Sequence, residues 1–329
     1  MQQDTPLISE EAAPYQQQAL PLFKTNPKCG QFETPTLEGL DPMQSRRFYS
    51  HTNGELWLGD AMTWLGNLGA ETVDLIIADP PYNIKKAEWD TFESQQAYVD
   101  WSLKWISEAA RALKPLGSLY LCGFSEIVAD LRLPASRYFA GCRWLVWHYK
   151  NKANLRHDWG RSHESILHFR KNKGFTFNTD DVRIPYGHHT LKYPEHPQAE
   201  TSQYGNGKRK DTTWQPHPRG AKPRDVIEIP TLSNGMQEKT AHPTQKPEEL
   251  IRRLVLASSN PQDLVVDPFV GSGTTAVVSE QLGRRWLGCD LSPEYLKWAV
   301  ERIERVEDRS VDDWIQLDRQ NEKRRKSIR

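Results

Sequence analysis

Two short apolar segments that end in an aspartate constrain the fold more than any other feature of this sequence. The segment "TVDLIIAD" covers residues 72–79, and "DLVVDPF" covers residues 263–269. Continuous apolar strands are typical of a parallel sheet that is covered by helices on both faces. An acid at the end of such a buried strand is costly to desolvate, so its position calls for an explanation.

The rest of the chain alternates between strand and helix patterns. Apolar residues recur at helical spacing in residues 93–113, which predicts a long helix there. We predict further helices at 247–258, 273–283 and 292–306, and further strands at 54–60, 118–124, 143–149, 164–170 and 284–290. This alternation predicts an α/β fold with a doubly wound, mostly parallel sheet.

Local composition divides the chain into five parts. Residues 1–45 are rich in Gln, Pro, Thr and Glu and are expected to form a loosely ordered arm. Residues 46–170 and 241–306 carry the strand and helix patterns and form the two halves of the main domain. Residues 171–240 hold seven of the 22 prolines, which predicts a separate lobe inserted between the halves. Residues 307–329 are a charged tail and are expected to be a solvated end.

Bulk composition narrows the possible partners and compartments. The net charge is zero, so any surface for a polyanion must be local. The four cysteines, at 29, 122, 142 and 289, show no C-x-x-C spacing, which argues against a zinc site or disulfides and favours a cytoplasmic protein. We expect no membrane span, because no apolar run approaches about 20 residues, and no secretory signal in the first thirty residues.

The stretch "VVDPFVGSGTTAVV", residues 265–278, indicates a ligand site at the end of the second apolar strand. Gly271 and Gly273 allow close approach of the backbone, and the following helix start offers N–H donors. Asp290 ends the next predicted strand, seventeen residues after Gly273, where an acid can accept both hydroxyls of a ribose. A dinucleotide is one option. Asp267 suits a cation better than a pyrophosphate, so a sulfonium cofactor with an adenosine and an amino-acid tail fits best.

Three motifs in a particular order identify a family resemblance. "DPPY" at 79–82, "HPTQKP" at 242–247 and "DPFVGSGTT" at 267–275 resemble those of the amino DNA methyltransferases. The catalytic motif precedes the cofactor motif, as in the circularly permuted β group of that family. The resemblance spans roughly residues 54–306. It implies a Rossmann-like methyltransferase sheet, an inserted irregular target-recognition region at 171–240, the cofactor S-adenosylmethionine, and methylation of adenine N6 or cytosine N4.

The "DPPY" motif suits methylation of an exocyclic amine. Such an amine is a poor nucleophile, because its lone pair is delocalised into the ring. Asp79 and the carbonyl of Pro80 can accept its two N–H groups and localise that lone pair, while Pro80 and Pro81 hold the carbonyl rigidly. Tyr82 is expected to stack on the target base after the base has swung out of the duplex.

The resemblance also assigns roles to other residues. Asp267, Phe269, Gly271, Gly273 and Thr274 would line the cofactor site, Asp290 would hold the ribose, Thr244 and Lys246 would help to fix the methionine end, and Asp60 would meet the adenine amino group. Plain structural roles stay open at this stage. Asp60 could be only a helix N-cap, Asp290 only an acid at a helix start, and Gly271 and Gly273 only parts of a strand-to-helix turn.

The partner is expected to be double-stranded DNA, with a possible cognate restriction endonuclease. Residues 205–224 contain six Lys or Arg and one acid, a composition suited to phosphate contacts and guanine recognition. The predicted DNA-binding residues are Trp147, Lys208, Arg209, Lys210, Trp214, Arg219 and Arg224, and "NKANLRHDWGR" at 151–161 could add a second contact surface. Trp147, expected from the resemblance to wall the pocket of the flipped base, could equally be core.

Four alternatives to an adenine-N6 enzyme stay open on the sequence. Cytosine-N4 methylation is the nearest, although Asp before Pro-Pro is more typical of adenine enzymes and Ser of cytosine-N4 enzymes. RNA or protein-glutamine methylation usually goes with the opposite motif order. A nicotinamide-dependent oxidoreductase would leave "DPPY" without a role, and a DNA-binding module without catalysis would not need that motif intact.

Overall fold

The computed structural model describes residues 45–84, 90–149, 157, 159–194, 196–197, 213–307 and 309–327. The predicted N-terminal arm lies outside these residues up to position 44. The strands are β1 (Arg46–Ser50), β2 (Gly54–Leu58), β3 (Val73–Ala78), β4 (Leu113–Gly123), β5 (Gly141–His148), β6 (His163–Arg170), β7 (His196–Pro197), β8 (Thr213–Trp214), β9 (Val226–Glu228), β10 (Leu264–Asp267) and β11 (Arg285–Asp290). The helices are α1 (Ala61–Gly66), α2 (Gln95–Ala112), α3 (Ser125–Ala135), α4 (His188–Lys192), α5 (Glu248–Ser258), α6 (Thr274–Gln281), α7 (Pro293–Ile303) and α8 (Val311–Ser327).

One large sheet organises the described chain. Its strand order is β1-β2-β11-β10-β3-β4-β6-β5-β9, and the five neighbours from β2 to β4 are parallel. β1 and β6 run antiparallel to their partners, and β7 and β8 form a separate two-stranded sheet. The predicted doubly wound, mostly parallel sheet is thereby confirmed.

The sheet is buried on both faces, as the continuous apolar strands predict. In β3, Ile76 packs with α1, α2 and α3, whereas Leu75 packs with α5 on the opposite face. Helices α6 and α7 cover the same face as α5 above β2 and β11. Leu75 and Ile76 are both 0% exposed, so β3 has no solvent-facing side.

The order of connections creates a crevice between β3 and β10. The chain leaves β3 through α2 to β4 on one side, and leaves β10 through α6 to β11 on the other side. Open α/β sheets bind ligands at such a switch point, outside the carboxyl ends of the strands. Asp79 and Asp267 both lie at this point, because Asp79 follows β3 and Asp267 ends β10.

Part of the proline-rich region is integrated into the main domain, which differs from the separate lobe that we predict from sequence. Strand β9 extends the large sheet by pairing with β5. The side-chain amide of Asn178 donates to the carbonyls of Leu256 and Ser259 at 3.1 and 2.9 Å. Ile227 and Ile229 are buried in the core. The sequence does not predict these contacts, because the segments that make them are only a few residues long and lie among prolines.

The C-terminal segment forms helix α8 and packs on α5, so the expectation of a solvated tail is wrong. Trp314 is buried among core residues. Three of the charged residues that follow it form ion pairs with α5: Asp318 with Arg252, Glu322 with Arg253, and Arg325 with Glu249. Among the described residues, no helix combines the length and the apolar character that a membrane span requires.

Removing the buried ion pair between α5 and α8 tests this docking. Arg252 is 4% exposed and donates to both carboxylate oxygens of Asp318, at 3.0 and 3.1 Å. We expect Asp318→Ala to lower the free energy of unfolding by about 3 kcal/mol, because breaking a buried pair leaves a poorly compensated charge. Urea denaturation followed by circular dichroism measures the change.

Asp312→Ala is the matched control, since Asp312 is an exposed acid in the first turn of the same helix. We expect it to cost less than about 1 kcal/mol, the size of an interaction with the helix dipole. Equal effects of the two substitutions would show that the ion pair does not hold α8 in place.

Candidate active site

Four neighbouring parallel strands deliver one aspartate each to the same edge of the sheet. Asp60 follows β2, Asp290 ends β11, Asp267 ends β10 and Asp79 follows β3. All four line one cavity of about 520 Å³. This volume is within the usual range for small-molecule sites. All the predicted catalytic and cofactor-binding residues except Gly273 line this cavity: Asp60, Asp79, Pro80, Pro81, Tyr82, Thr244, Lys246, Asp267, Phe269, Gly271, Thr274 and Asp290.

The glycine loop after β10 forms the floor of the cavity. Gly271 and Gly273 both have positive φ, at 49° and 82°. A Cβ at Gly273 would lie 2.8 Å from the Cα of Ala299 in α7, so this glycine serves close packing rather than ligand contact. Arg302 braces the loop from α7, donating to the Ser272 carbonyl at 2.8 Å and to Thr274 Oγ1 at 3.0 Å.

Two of the strand-end acids are held by backbone groups. Asp290 accepts the N–H of Gly271 at 2.8 Å and that of Ser292 at 2.9 Å. Asp267 accepts the N–H of Phe269 at 2.9 Å and the hydroxyl of Thr275. Burial raises the pKa of Asp267 to about 7 and that of Asp290 to about 6, although these hydrogen bonds lower both values.

An aromatic wall adjoins these acids. The Phe269 ring lies 5.9 Å from the Trp101 ring and 5.3 Å from the Trp105 ring, between centroids. Trp101 and Phe92 line the cavity as well. Helical spacing marks Trp101 only as one of several apolar positions of α2, so the sequence does not single it out. The cavity therefore offers acids, backbone donors and an apolar wall, which fit an adenosine with a charged tail.

Asp60 caps helix α1 as well as lining the cavity. Its Oδ1 accepts the N–H of Thr63 at 3.0 Å and the Thr63 hydroxyl at 3.2 Å. The N-cap interpretation is thus confirmed, and the location in the cavity leaves the cofactor role available as well.

His242, at the start of "HPTQKP", is buried beneath Tyr295 and over Gly271. Burial lowers its pKa to about 4, so His242 is neutral near pH 7.

A buried aspartate that the sequence analysis missed shapes the catalytic turn. Asp90 is 1% exposed and accepts three successive backbone N–H groups, from Tyr82 at 2.6 Å, Asn83 at 2.7 Å and Ile84 at 3.2 Å. Asn83 has a φ of 57°, a left-handed conformation that asparagine tolerates. Asp90 therefore holds the residues after Pro81 in a tight curl, and no local motif marks it for that role.

Asp79 lies in a polar cluster with Tyr82, Lys246 and Glu164. The Tyr82 hydroxyl donates to Asp79 Oδ1 at 2.5 Å, and Lys246 Nζ donates to Asp79 Oδ2 at 2.6 Å. Glu164, from β6, lies 3.3 Å from both Lys246 Nζ and the Tyr82 hydroxyl. The sequence analysis missed Glu164, because β6 comes from a distant part of the chain.

The structure places Tyr82 and Lys246 differently from the sequence-based expectations. Tyr82 is 8% exposed, and its ring packs edge-on against Phe124 with centroids 5.0 Å apart. The ring is therefore not free to stack on a base in this conformation. Lys246 contacts Asp79, whereas the resemblance assigns it to the cofactor's methionine end. Burial lowers the pKa of Lys246, but the charges of Asp79 and Glu164 outweigh burial and raise it above its usual value.

The predicted DNA-binding residues are spread over several environments. Trp147 is 2% exposed, donates to the Ile229 carbonyl at 2.8 Å and lies 6.0 Å from Lys246 Nζ, so it lies behind the cluster rather than on the surface. Arg219 and Arg224 are exposed. The backbone of Trp214 belongs to β8. Lys208, Arg209 and Lys210 lie outside the described residues, as do most of residues 151–158.

The described part of the chain contains no group of three or more His, Cys, Asp or Glu residues that could hold a metal ion. The cavity itself presents acids, backbone carbonyls and a buried lysine. A carboxylate and a proline-held carbonyl at one strand end can accept two N–H donors of a planar amine.

Replacing Asp90 tests whether it holds the catalytic turn. We expect Asp90→Ala to lower the free energy of unfolding by about 3 kcal/mol, because three N–H groups lose a charged acceptor. Urea denaturation provides the measurement. Glu93→Ala, at an exposed acid three residues further on, should leave stability within about 0.5 kcal/mol of the wild type. A similar small change for Asp90→Ala would contradict the role assigned to it.

Comparison with known proteins identifies the family of the chain. The family of DNA methylases matches residues 73–301. The chain is 35% identical over 249 residues to the type II methyltransferase M1.MboII of Moraxella bovis, covering 72% of this chain and 91% of that protein. It is also 35% identical over 251 residues to the DNA adenine methyltransferase YhdJ of Escherichia coli strain K12, covering 75% of this chain and 81% of that protein.

Solved structures share the fold. The PvuII DNA methyltransferase, which is cytosine-N4-specific, matches with a TM-score of 0.58 and 20% identity over 82% of this chain and 93% of that chain. A DNA modification methylase from Thermus thermophilus, complexed with S-adenosyl-L-methionine, matches with a TM-score of 0.52 and 23% identity over 77% and 94%. Given the strand-end site and the family match over most of its length, the chain belongs to the DNA methylase family, the S-adenosylmethionine-dependent amino-methyltransferases.

Proposed function

We propose that this DNA amino-methyltransferase is site-specific and methylates adenine at N6. The observation that carries the choice of base is Asp79 before Pro80 and Pro81, a pattern that we associate with adenine enzymes. The relative YhdJ, named a DNA adenine methyltransferase, supports the same choice at 35% identity. The cytosine-N4-specific PvuII enzyme shares the fold at 20% identity, which leaves cytosine N4 as the second candidate.

In the proposed reaction, Asp79 and the Pro80 carbonyl accept the two N–H groups of the target amine. Both acceptors lie at the carboxyl end of β3, on the wall of the cavity. Hydrogen bonding to both protons localises the nitrogen lone pair, and the rigid Pro80-Pro81 turn keeps the acceptors in place without reorganisation. When bound, S-adenosylmethionine supplies an electrophilic methyl group on a sulfonium.

The cofactor would be held by residues of the second half of the domain. Asp267 suits the cationic amino group of the cofactor, and Asp290 suits its ribose hydroxyls. Phe269 and Trp101 suit the flat face of its adenine ring. Thr244 is proposed to approach its carboxylate and Asp60 its adenine amino group, whereas Lys246 is proposed to act on Asp79, which it contacts. This assignment uses each acid of the strand ends once.

Base stacking by Tyr82 requires a change from the described conformation. The Tyr82 hydroxyl is bonded to Asp79, and its ring is buried against Phe124. A flipped base that displaces this ring from Phe124 would gain a stacking partner and would free one oxygen of Asp79 for the amine. We therefore propose that Tyr82 turns when the base enters.

DNA is proposed to bind through the basic part of the proline-rich region. Arg219 and Arg224 are exposed there, and Lys208, Arg209 and Lys210 add charge in the sequence. Trp214 is proposed to contact DNA beside them, whereas Trp147 is proposed to act from behind the base pocket. The relative M1.MboII carries the name type II methyltransferase, which supports a cognate restriction endonuclease as a partner.

Identifying the modified base tests the proposal. Duplex DNA methylated by the purified chain and digested to nucleosides should yield N6-methyladenine, detected by mass spectrometry. Asp79→Ala should abolish the product, because the acceptor of the amine is lost. Duplex binding should survive, because the proposed DNA-binding surface is unchanged. N4-methylcytosine as the product would overturn the choice of base, and turnover by Asp79→Ala would overturn the role of Asp79.

The raised pKa of Asp267 predicts a pH-dependent cofactor affinity. With a pKa of about 7, this carboxyl is mostly neutral at pH 6 and mostly ionised at pH 8. A cationic ligand group favours the ionised form, so affinity for S-adenosylmethionine should rise about fivefold from pH 6 to pH 8, because partial deprotonation of the ligand's own α-amino group near pH 8 offsets about half of the gain. Isothermal titration calorimetry measures it. Asp267→Asn should bind weakly at both values, and an unchanged wild-type affinity between them would contradict the assignment.

A further inference from the structure

The cluster around Asp79 contains one carboxylate more than the proposed chemistry needs. Lys246 Nζ lies 2.6 Å from Asp79 Oδ2 and 3.3 Å from Glu164 Oε2. Its side chain is 7% exposed, and those of Asp79 and Glu164 are 22% and 15% exposed. Glu164 does not line the cavity, so it is not placed to touch cofactor or base.

The arrangement poses a problem for Asp79 as an acceptor of the amine. In the described conformation, Tyr82 bonds one carboxylate oxygen of Asp79 and Lys246 bonds the other. An ion-paired carboxylate accepts a further hydrogen bond less strongly, because its charge is already compensated. The turn of Tyr82 frees Oδ1 for the amine, but the charge of Asp79 stays compensated unless the contact with Lys246 loosens as well.

Loosening that contact is costly for Lys246 unless another anion is present. A buried ammonium that loses its partner keeps the full cost of desolvation. The aromatic rings of Tyr82 and Trp147, 5.4 and 6.0 Å from Lys246 Nζ, offer only weak compensation. Glu164 is the anion already within reach, and it is fixed on strand β6, where its backbone pairs with that of Trp147.

We propose that Glu164 is a positioning residue that holds the Lys246 ammonium while Asp79 turns to the target amine. Lys246 would move from a contact shared between two carboxylates to one centred on Glu164. Asp79 then meets the amine with its negative charge less compensated. The inference rests on methyl transfer to an amine of DNA and is the same for adenine and for cytosine.

Single-turnover kinetics with Glu164→Gln tests the proposal. The amide keeps the size of the side chain but removes the charge, so Lys246 should stay on Asp79. We expect the methyl-transfer rate constant at saturating cofactor and duplex to fall about ten- to hundredfold, as for other supporting partners of a reacting group. Dissociation constants for cofactor and duplex should stay within about twofold, since Glu164 lies behind the cavity. A wild-type rate constant in Glu164→Gln would overturn the proposal.

A double-mutant cycle with Lys246→Met separates positioning from a general structural role. If Glu164 acts through Lys246, Glu164→Gln should have no further effect once Lys246 is absent. An equal fold-loss in both backgrounds would contradict the proposal. If Lys246→Met is too slow to measure, Glu164→Asp decides: its retained charge should give a rate between those of the wild type and Glu164→Gln, and a rate no higher than that of Glu164→Gln refutes the role.

Two controls keep the outcomes distinct. Glu108→Gln alters a surface glutamate on α2 that pairs with Arg111, and it should match the wild type in every measurement. The wild-type chain assayed beside the variants separates this inference from the proposed function. If the wild-type chain methylates cytosine, the choice of base changes but the comparison with Glu164→Gln still holds. Thermal unfolding of each variant shows whether a slower rate results from loss of folded protein.

Discussion

The structure depends on the side-by-side placement of β3 and β10, two strands that are far apart in sequence. Their connections leave in opposite directions, so a crevice opens at the carboxyl ends of this pair. One strand supplies the turn with Asp79 and Pro80, and the other supplies the glycine loop with Asp267. Methyl donor and acceptor amine can therefore meet although their binding groups come from separate halves of the chain.

A buried lysine joins these halves at the point of reaction. Lys246 comes from the segment that leads into α5, whereas Asp79, Tyr82 and Glu164 all come from the first half. Desolvation offsets much of the attraction within a buried ion cluster, and in some proteins such a cluster serves mainly to define one arrangement. In this chain the defined arrangement includes the orientation of Asp79, the proposed acceptor of the amine. The network also explains why Tyr82, whose ring we expect on the base, is folded inward in the described conformation.

The sequence reveals the parts of the site in which local pattern and chemistry coincide. The acids at positions 79, 267 and 290 each follow a short apolar run, and the strand, the turn and the acid can be read together. Asp90 and Glu164 follow no such pattern, because their partners are fixed only when a loop or an antiparallel strand returns to the turn. The packing of helix α8 is not predicted from the sequence for another reason. Val311, Trp314 and Ile315 start an apolar face, but Asp318 and Glu322 continue it, and those charges are matched by arginines of α5.

The row of acids at the strand ends has a consequence for the order in which ligands bind. Asp60, Asp79 and Asp290 make the mouth of the cavity electronegative near pH 7, Asp267 adds charge only as far as it is ionised, and Lys246 offsets part of the total. A polyanion approaching this mouth meets repulsion, which a positively charged methyl donor relieves once it is in place. The loaded enzyme should therefore capture a duplex more readily than the empty one. Initial-rate kinetics should show ordered binding in which S-adenosylmethionine binds before the duplex. A random-order pattern would exclude this.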